Sequence, residues 1–388
     1  MPHRLCRCVG SALRLVVFIL SILCAQDALA EPLINLLGHP SHSTRIAAAW
    51  CLRSFCYSTP LRLPKNVLLV MDLLQKDVSS ITSPSTSTDV HRRTLGHAHG
   101  LAALFSIIPV RPLYVSYDLS AKVLDTAIQL LKRAGDHDLV IAGVEIETAW
   151  TCISSLMTLG PNFVRAHLSQ LLVLWRNALP KPTSKDSSNG VTRSNADWTF
   201  LLRVRESALS AILSFLHHNS PVLVTLDVAR RLASLLSNGL LFANLFISQY
   251  REEFVEHEVV PTELSLPTRE AMLRRRVFQC FSTLGFAALP ESTQTALLQS
   301  TIALFASPDG YSGSSAQAAI ATSAGTFTSI WQVVDGYAYG VNGADLGIPP
   351  FPEVEESGGR EKLDYLNRDI VYVSINQMVR RATGIFFT

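Results

Sequence analysis

A recurrence constrains this chain more than any single motif: five stretches run through apolar residues at helical spacing and then stop at a proline. They are residues 51–60 (CLRSFCYSTP), 100–109 (GLAALFSIIP), 152–161 (CISSLMTLGP), 211–221 (AILSFLHHNSP) and 280–290 (CFSTLGFAALP). In the first four, an aliphatic residue stands eight positions before the proline (Leu52, Leu101, Ile153, Leu213) and a bulky one five before it (Phe55, Leu104, Leu156, Leu216). Positions three apart share a helix face, so each pair predicts a buried stripe. The fifth stretch keeps its proline but has Ser282 and Gly285 at those places, which makes it a weaker copy.

Proline cannot continue the helix before it, yet it suits the first turn of the next one. The predicted order is therefore an A helix, a turn, a B helix, a proline and the next A helix, with Ser220 the expected N-cap before Pro221. The stripes Val67, Val70, Met71, Leu74 and Leu124, Ala127, Ile128, Leu131 supply A helices, as does the run Val164, Leu168, Leu171, Leu172, Trp175. Successive prolines are 49, 52, 60 and 69 residues apart, close to the spacing of HEAT-type two-helix units. A hairpin of that size buries its apolar face only by stacking on its neighbours. The expected fold class is all-α, an α-α superhelix of antiparallel helix pairs of the armadillo/HEAT type.

The expected organisation is a signal-like or truncated repeat helix over 1–30, HEAT-like repeats over 31–306, loop or disordered insertion over most of 307–362, and a C-terminal helix over 363–388. Polar Gly/Ser/Thr-rich stretches at 79–89, 181–196, 307–328 and 336–359 read as loops. Near the start, Arg4, Arg7 and Arg14 accompany the apolar run 15–23, and Ala28-Leu29-Ala30 offers small residues of the kind cut in a secretory signal. A repeat helix over 16–37 explains the same residues. Against secretion, the chain has no Asn-x-Ser/Thr site and an odd number of cysteines.

Chemistry is hard to find. The net charge of +2 disfavours a nucleic-acid binder. The seven scattered cysteines read as reduced core thiols, and Cys6 with Cys8 lack a second pair of metal ligands. His257-Glu258 has no following histidine at zinc-protease spacing. Gly310 to Gly313 does not form a nucleophile elbow, and Gly336, Gly340 and Gly343 do not match a dinucleotide fingerprint. His97 and His99 lie two apart and so face different ways on a helix, which argues against a shared metal. His217-His218 closes a helix where positive charge suits the dipole. Arg274-Arg275-Arg276 reads as a solvated face. Trp50 and Trp150 read as core, and so does Trp175, although beside Arg176 it also has the makings of a surface anchor. The sequence assigns no catalytic, cofactor-binding or metal-ligating residue and singles out no binding residue. It points to no enzyme, no cofactor and no small-molecule substrate.

Three strings carry a resemblance: Leu37-Gly38-His39-Pro40-Ser41 followed by Arg45-Ile46-Ala47-Ala48-Ala49-Trp50-Cys51-Leu52-Arg53; then Leu156-Met157-Thr158-Leu159-Gly160-Pro161; then Leu171-Leu172-Val173-Leu174-Trp175-Arg176-Asn177-Ala178-Leu179-Pro180. In order and spacing they resemble the HEAT-repeat-containing protein 5 family, whose fungal branch includes the large accessory protein of clathrin adaptor complex 1. The similarity runs over about residues 33–215. Members are much longer cytosolic arrays, so the resemblance implies an internal fragment and makes the signal-like start an accident of where the chain begins. It implies a scaffold partnering clathrin adaptor complex 1 and its accessory proteins, peripheral at the trans-Golgi network and endosomes. It brings no catalytic residues. The alternatives are another α-solenoid carrier such as a nuclear transport receptor, or a secreted helical protein.

Overall fold

The computed structural model describes residues 23–82, 88–183, 193–250 and 266–284. Among these there is no strand, and they fall into two compact units that divide between Gly160 and Pro161. Gly160 sits at φ +88°, a left-handed conformation that glycine reaches without strain.

The first unit holds α1 (Leu23–Leu36), α2 (His42–Ser58), α3 (Leu63–Ser80), α4 (Thr88–Phe105), α5 (Tyr117–Arg133) and α6 (Leu139–Leu156). The even-numbered helices stack side by side, α2 on α4 and α4 on α6, and each odd-numbered helix packs on the even one that follows. The even helices run parallel: Arg53 Nε near the end of α2 donates to Ser106 Oγ just past α4 at 2.9 Å. The odd–even pairs are antiparallel, since Asp77 at the end of α3 meets His97 in α4. This is the helix-pair stacking of the α-α superhelix class, as the sequence predicts.

The repeat positions explain the packing. Leu52, Phe55, Leu101, Leu104, Ile153 and Leu156 are all buried, which locks the B helices to one another. The stripe of α3 (Val67, Val70, Met71, Leu74) is buried as its spacing requires. In α5 the buried set is Val123, Leu124, Ala127, Ile128 and Leu130. Leu131, expected in that stripe, is only half-buried, because the interface rolls back one residue towards Leu130. Helix α6 is apolar nearly all round, as suits a helix covered on several sides. Asp138 caps it by accepting from Val140 N and Ile141 N.

The second unit holds α7 (Pro161–Val164), α8 (Leu168–Ala178), α9 (Asn195–Leu223), α10 (Leu226–Gln249) and α11 (Leu266–Leu284). Helices α9 and α11 pack along each other and α10 packs on α11, repeating the B-on-B arrangement. Leu213 and Leu216 are buried in α9. The run expected as one helix from Val164 to Trp175 is broken by the 3-10 turn Arg165–His167, which leaves Leu168 and Leu172 half-buried while Leu171 and Trp175 are fully enclosed.

Several expected boundaries move. Pro221 lies inside α9, not at the head of the next helix, and the N-cap is Thr225 rather than Ser220. With only Val222 and Leu223 left in the helix, Pro221 forfeits one backbone hydrogen bond near an end where few remain to lose. The loop expected over 79–89 is shorter at both ends. The Ser79 and Ser80 hydroxyls bond back to the Lys76 carbonyl, so these serines finish α3, while Thr88 and Asp89 already begin α4. At 181–196, a reciprocal capping box between Ser194 and Asp197 draws Asn195 and Ala196 into α9. The expectations for 1–22, for the loop cores at 83–87 and 184–192, and for 307–388 lie outside the described residues.

Candidate functional site

The turn between α1 and α2 is built with unusual economy of space. Leu37 is fully buried, with its carbonyl oxygen seated directly on Gly96 of α4 and its side chain on Gly100. A Cβ at Gly96 would run into that carbonyl, and one at Gly100 would stand 2.5 Å from Leu37 Cδ1. Arg45, one turn into α2 and fully buried, reaches back and donates to the carbonyls of His39 (3.0 Å) and Pro40 (2.8 Å). Sequence reading did not single out Gly96, Gly100 or Arg45. The signal was available: two glycines four apart lie on one helix face and mark a close approach.

Buried ionic groups staple the helices around this turn. Asp77 of α3 accepts from Arg93 (3.3 Å) and pairs with His97 Nδ1 (2.8 Å), both on α4. Glu145 of α6, fully enclosed, takes Arg133 Nε and His137 Nδ1 at 2.7 Å each, and Arg133 also donates to the Val78 carbonyl (3.2 Å). Each histidine–carboxylate pair has the elements of acid–base chemistry, but Asp77, His97 and Glu145 are packed between helices and serve as ionic staples. His97 and His99 turn to different partners, as two positions apart on a helix requires: His99 packs edge-on against the His42 ring at 6.0 Å.

His99 supplies a pH prediction. Burial holds its pKa down at about 4, Glu147 pulls it up and Arg45 pushes it lower. The unfolded histidine titrates near 6.5, so between these values the unfolded chain binds the extra proton and stability falls as pH drops. Urea midpoints taken from about pH 7 down to about pH 4.5 are expected to show His99 contributing a loss on the order of 2 kcal/mol. A His99→Gln variant should have a shallower pH slope, and an unchanged slope would contradict the assignment.

The second unit corrects two sequence expectations. Arg274 and Arg276 do not belong to a solvated face: Arg274 is held by Glu270 (2.8 Å) and Asn244 (3.1 Å), and Arg276 by Ser210 (3.0 Å), Gln279 (3.1 Å) and Glu206 (3.4 Å). Both are buried, because α9 and α10 bring carboxylate and amide groups to meet them. Burial raises the Glu270 carboxyl's pKa, against the pull of Arg274. Nor does His217-His218 close its helix with positive charge. The helix continues to Leu223, and burial, then His217, lower the His218 pKa to about 4. Trp175 is no surface anchor: it is fully buried against Phe215, ring centres 5.5 Å apart. Trp50 and Trp150 are core residues as expected.

Cys51, Cys56, Cys152 and Cys280 are free thiols, and burial pushes Cys56 and Cys152 up to about 12 and Cys280 higher still. At neutral pH these three carry no nucleophilic thiolate, in keeping with reduced core cysteines. Cys6, Cys8, His257, Glu258, Gly310, Gly313, Gly336, Gly340 and Gly343 lie outside the described residues.

The most exposed leucines among the described residues stand at one edge of the first unit, where the B helices end. Two 3-10 turns project there, Pro60–Arg62 after α2 and Pro112–Tyr114 after α4. Each opens on Pro-Leu, and Leu61 and Leu113 are 82% and 95% exposed. Val110 is half-exposed beside them. The Arg111 guanidinium lies 5.0 Å above the Tyr57 ring, which ties the start of the second turn to the end of α2.

Comparison with known proteins finds a HEAT repeat at residues 29–58, a span that takes in the end of α1, the Leu37–Ser41 turn and all of α2. No solved structure matches the chain. The chain accordingly contains a HEAT repeat within an all-α arrangement of stacked helix pairs, a kind of framework that commonly mediates contacts between proteins.

Proposed function

We propose that this chain is a non-enzymatic scaffold in clathrin-adaptor-dependent traffic between endosomes and the trans-Golgi network, supporting retrograde transport and protein localisation. The observation that carries the reading is the pair of strings Leu37–Ser41 and Arg45–Arg53, which resembles the adaptor-accessory family. It coincides with the HEAT repeat at 29–58 and contains Leu37 and Arg45, which build the α1–α2 turn. The strings at 156–161 and 171–180 follow in family order. Clathrin adaptor complex 1 and its accessory proteins are the proposed partners, and the proposed location is the cytoplasmic face of Golgi and endosomal membranes.

Proximity labelling from the full-length gene product tests this. Subunits of adaptor complex 1 are expected to be enriched over a free-ligase control and over the plasma-membrane adaptor complex. Labelling that recovers no adaptor or coat component would refute the assignment while leaving the helical scaffold intact.

A further inference from the structure

We propose that the edge formed by the turns after α2 and α4 contacts an anionic lipid surface directly, with Leu61 and Leu113 entering the bilayer interface and the neighbouring arginines and lysine at headgroup level. A single exposed leucine on a protein surface is ordinary. Here a Pro-Leu dipeptide opens a 3-10 turn after each of two neighbouring B helices, two residues past the end of α2 and seven past the end of α4, and both leucines stand almost clear of the protein. Proline fixes its own φ in each turn, so the tips are preset and little ordering is required on contact. The Tyr57–Arg111 stack joins the last turn of α2 to the residue that opens the second 3-10 turn.

Charge specifies the occupant. Residues 32–71 and 90–117, which contain both turns, all of α2 and α4 from its third residue onward, include no aspartate or glutamate. The turns themselves bring Arg62 and Arg111, with Arg53 and Lys65 close by in sequence. The first acid after this stretch, Asp118, lies in the opening turn of α5, beside its N-cap Ser116. An anionic surface is favoured there, and long cationic side chains can lie along an apolar boundary while their heads stay in water.

Shape separates a lipid from an acidic protein segment. A leucine exposed to 95% is a projection, and a protein partner would have to supply two deep pockets at the right separation. A bilayer accepts both without preformed pockets. The proposal does not depend on the adaptor reading, because it concerns the bare chain and lipid alone.

Co-flotation of the full chain with phosphatidylcholine vesicles, with and without phosphatidylserine, provides the test. Binding is expected only where phosphatidylserine is present and should weaken as salt is raised. The double substitution Leu61→Asp/Leu113→Asp should reduce partition by roughly tenfold or more. Both sites are exposed, so an unchanged thermal melt certifies the variant. Val140→Asp, at a half-exposed position at the opposite end of the B helices, should bind as the parent does. Absence of binding to anionic vesicles, equal binding to neutral ones, or binding indifferent to the two leucines would each overturn the proposal. A segment that instead binds an acidic peptide through these leucines, without lipid, would overturn it too.

Discussion

Alanine in place of Gly96 is expected to lower the unfolding free energy of the first unit by about 3 kcal/mol, while alanine at Gly135 leaves it within about 1 kcal/mol of the parent. On an open helix the change at Gly96 would be favourable by about 1 kcal/mol, because alanine restricts the unfolded chain and suits the helix. The sign reverses here because the new methyl meets backbone. It lands on the Leu37 carbonyl, with Arg45 Cδ 3.0 Å away. A flexible side chain could swing aside; a carbonyl in a turn moves only if the turn moves. Gly135 is the matched control, since nothing lies within 4 Å of a Cβ built there. Urea unfolding followed by tryptophan fluorescence measures both, and a Gly96→Ala variant as stable as the parent would show that the turn is looser than described.

The repeat was legible because it is written in local pattern. The pairs from Leu52 and Phe55 to Leu213 and Leu216 recur with a proline at fixed distance, and all eight side chains are buried. The failures have particular causes. Ser220 looks like a cap because a serine before proline usually is one, yet the helix runs on to Leu223 and Thr225 takes the role. The spacing puts Leu131 in the stripe where the structure has Leu130, because helical period fixes a face only to within a residue or so. Arg274 and Arg276 read as surface residues in the sequence because some of the groups that enclose them are remote. Glu206 lies 70 positions from Arg276 and Asn244 lies 30 from Arg274. A window of sequence sees three adjacent charges and no reason to bury them.

Surface features were less legible still. Pro60-Leu61 and Pro112-Leu113 are visible as letters, but their exposure depends on where the 3-10 turns project. Leu63, two residues beyond Leu61, is fully buried. The buried histidines show the same limit: a helical wheel places His97 and His99 on different faces but cannot show that Asp77 and His42 await them.

Arg45→Met should cost about 2–3 kcal/mol through the loss of two charge-assisted hydrogen bonds to the turn. Methionine keeps an unbranched stem of similar reach, so the change removes the guanidinium and little else. The carbonyls of His39 and Pro40 then lose the charged donor that serves them at 3.0 and 2.8 Å, and hydrogen bonds to a charged group are worth about 1.5–3 kcal/mol. A second readout separates this from simple loss of packing. Arg45 pushes the His99 pKa down, so its removal lets that pKa rise towards the unfolded value and flattens the acid-side fall in stability. The third readout is coupling. Alanine at Gly96 displaces the same turn whose carbonyls Arg45 holds, so once the turn has moved the arginine has little left to lose. The double variant should be more stable than the sum of the single losses implies, by more than the roughly 0.5 kcal/mol within which independent sites add. Strict additivity would mean that glycine and arginine act on separate parts of the structure, and the account of the turn as one unit would fail.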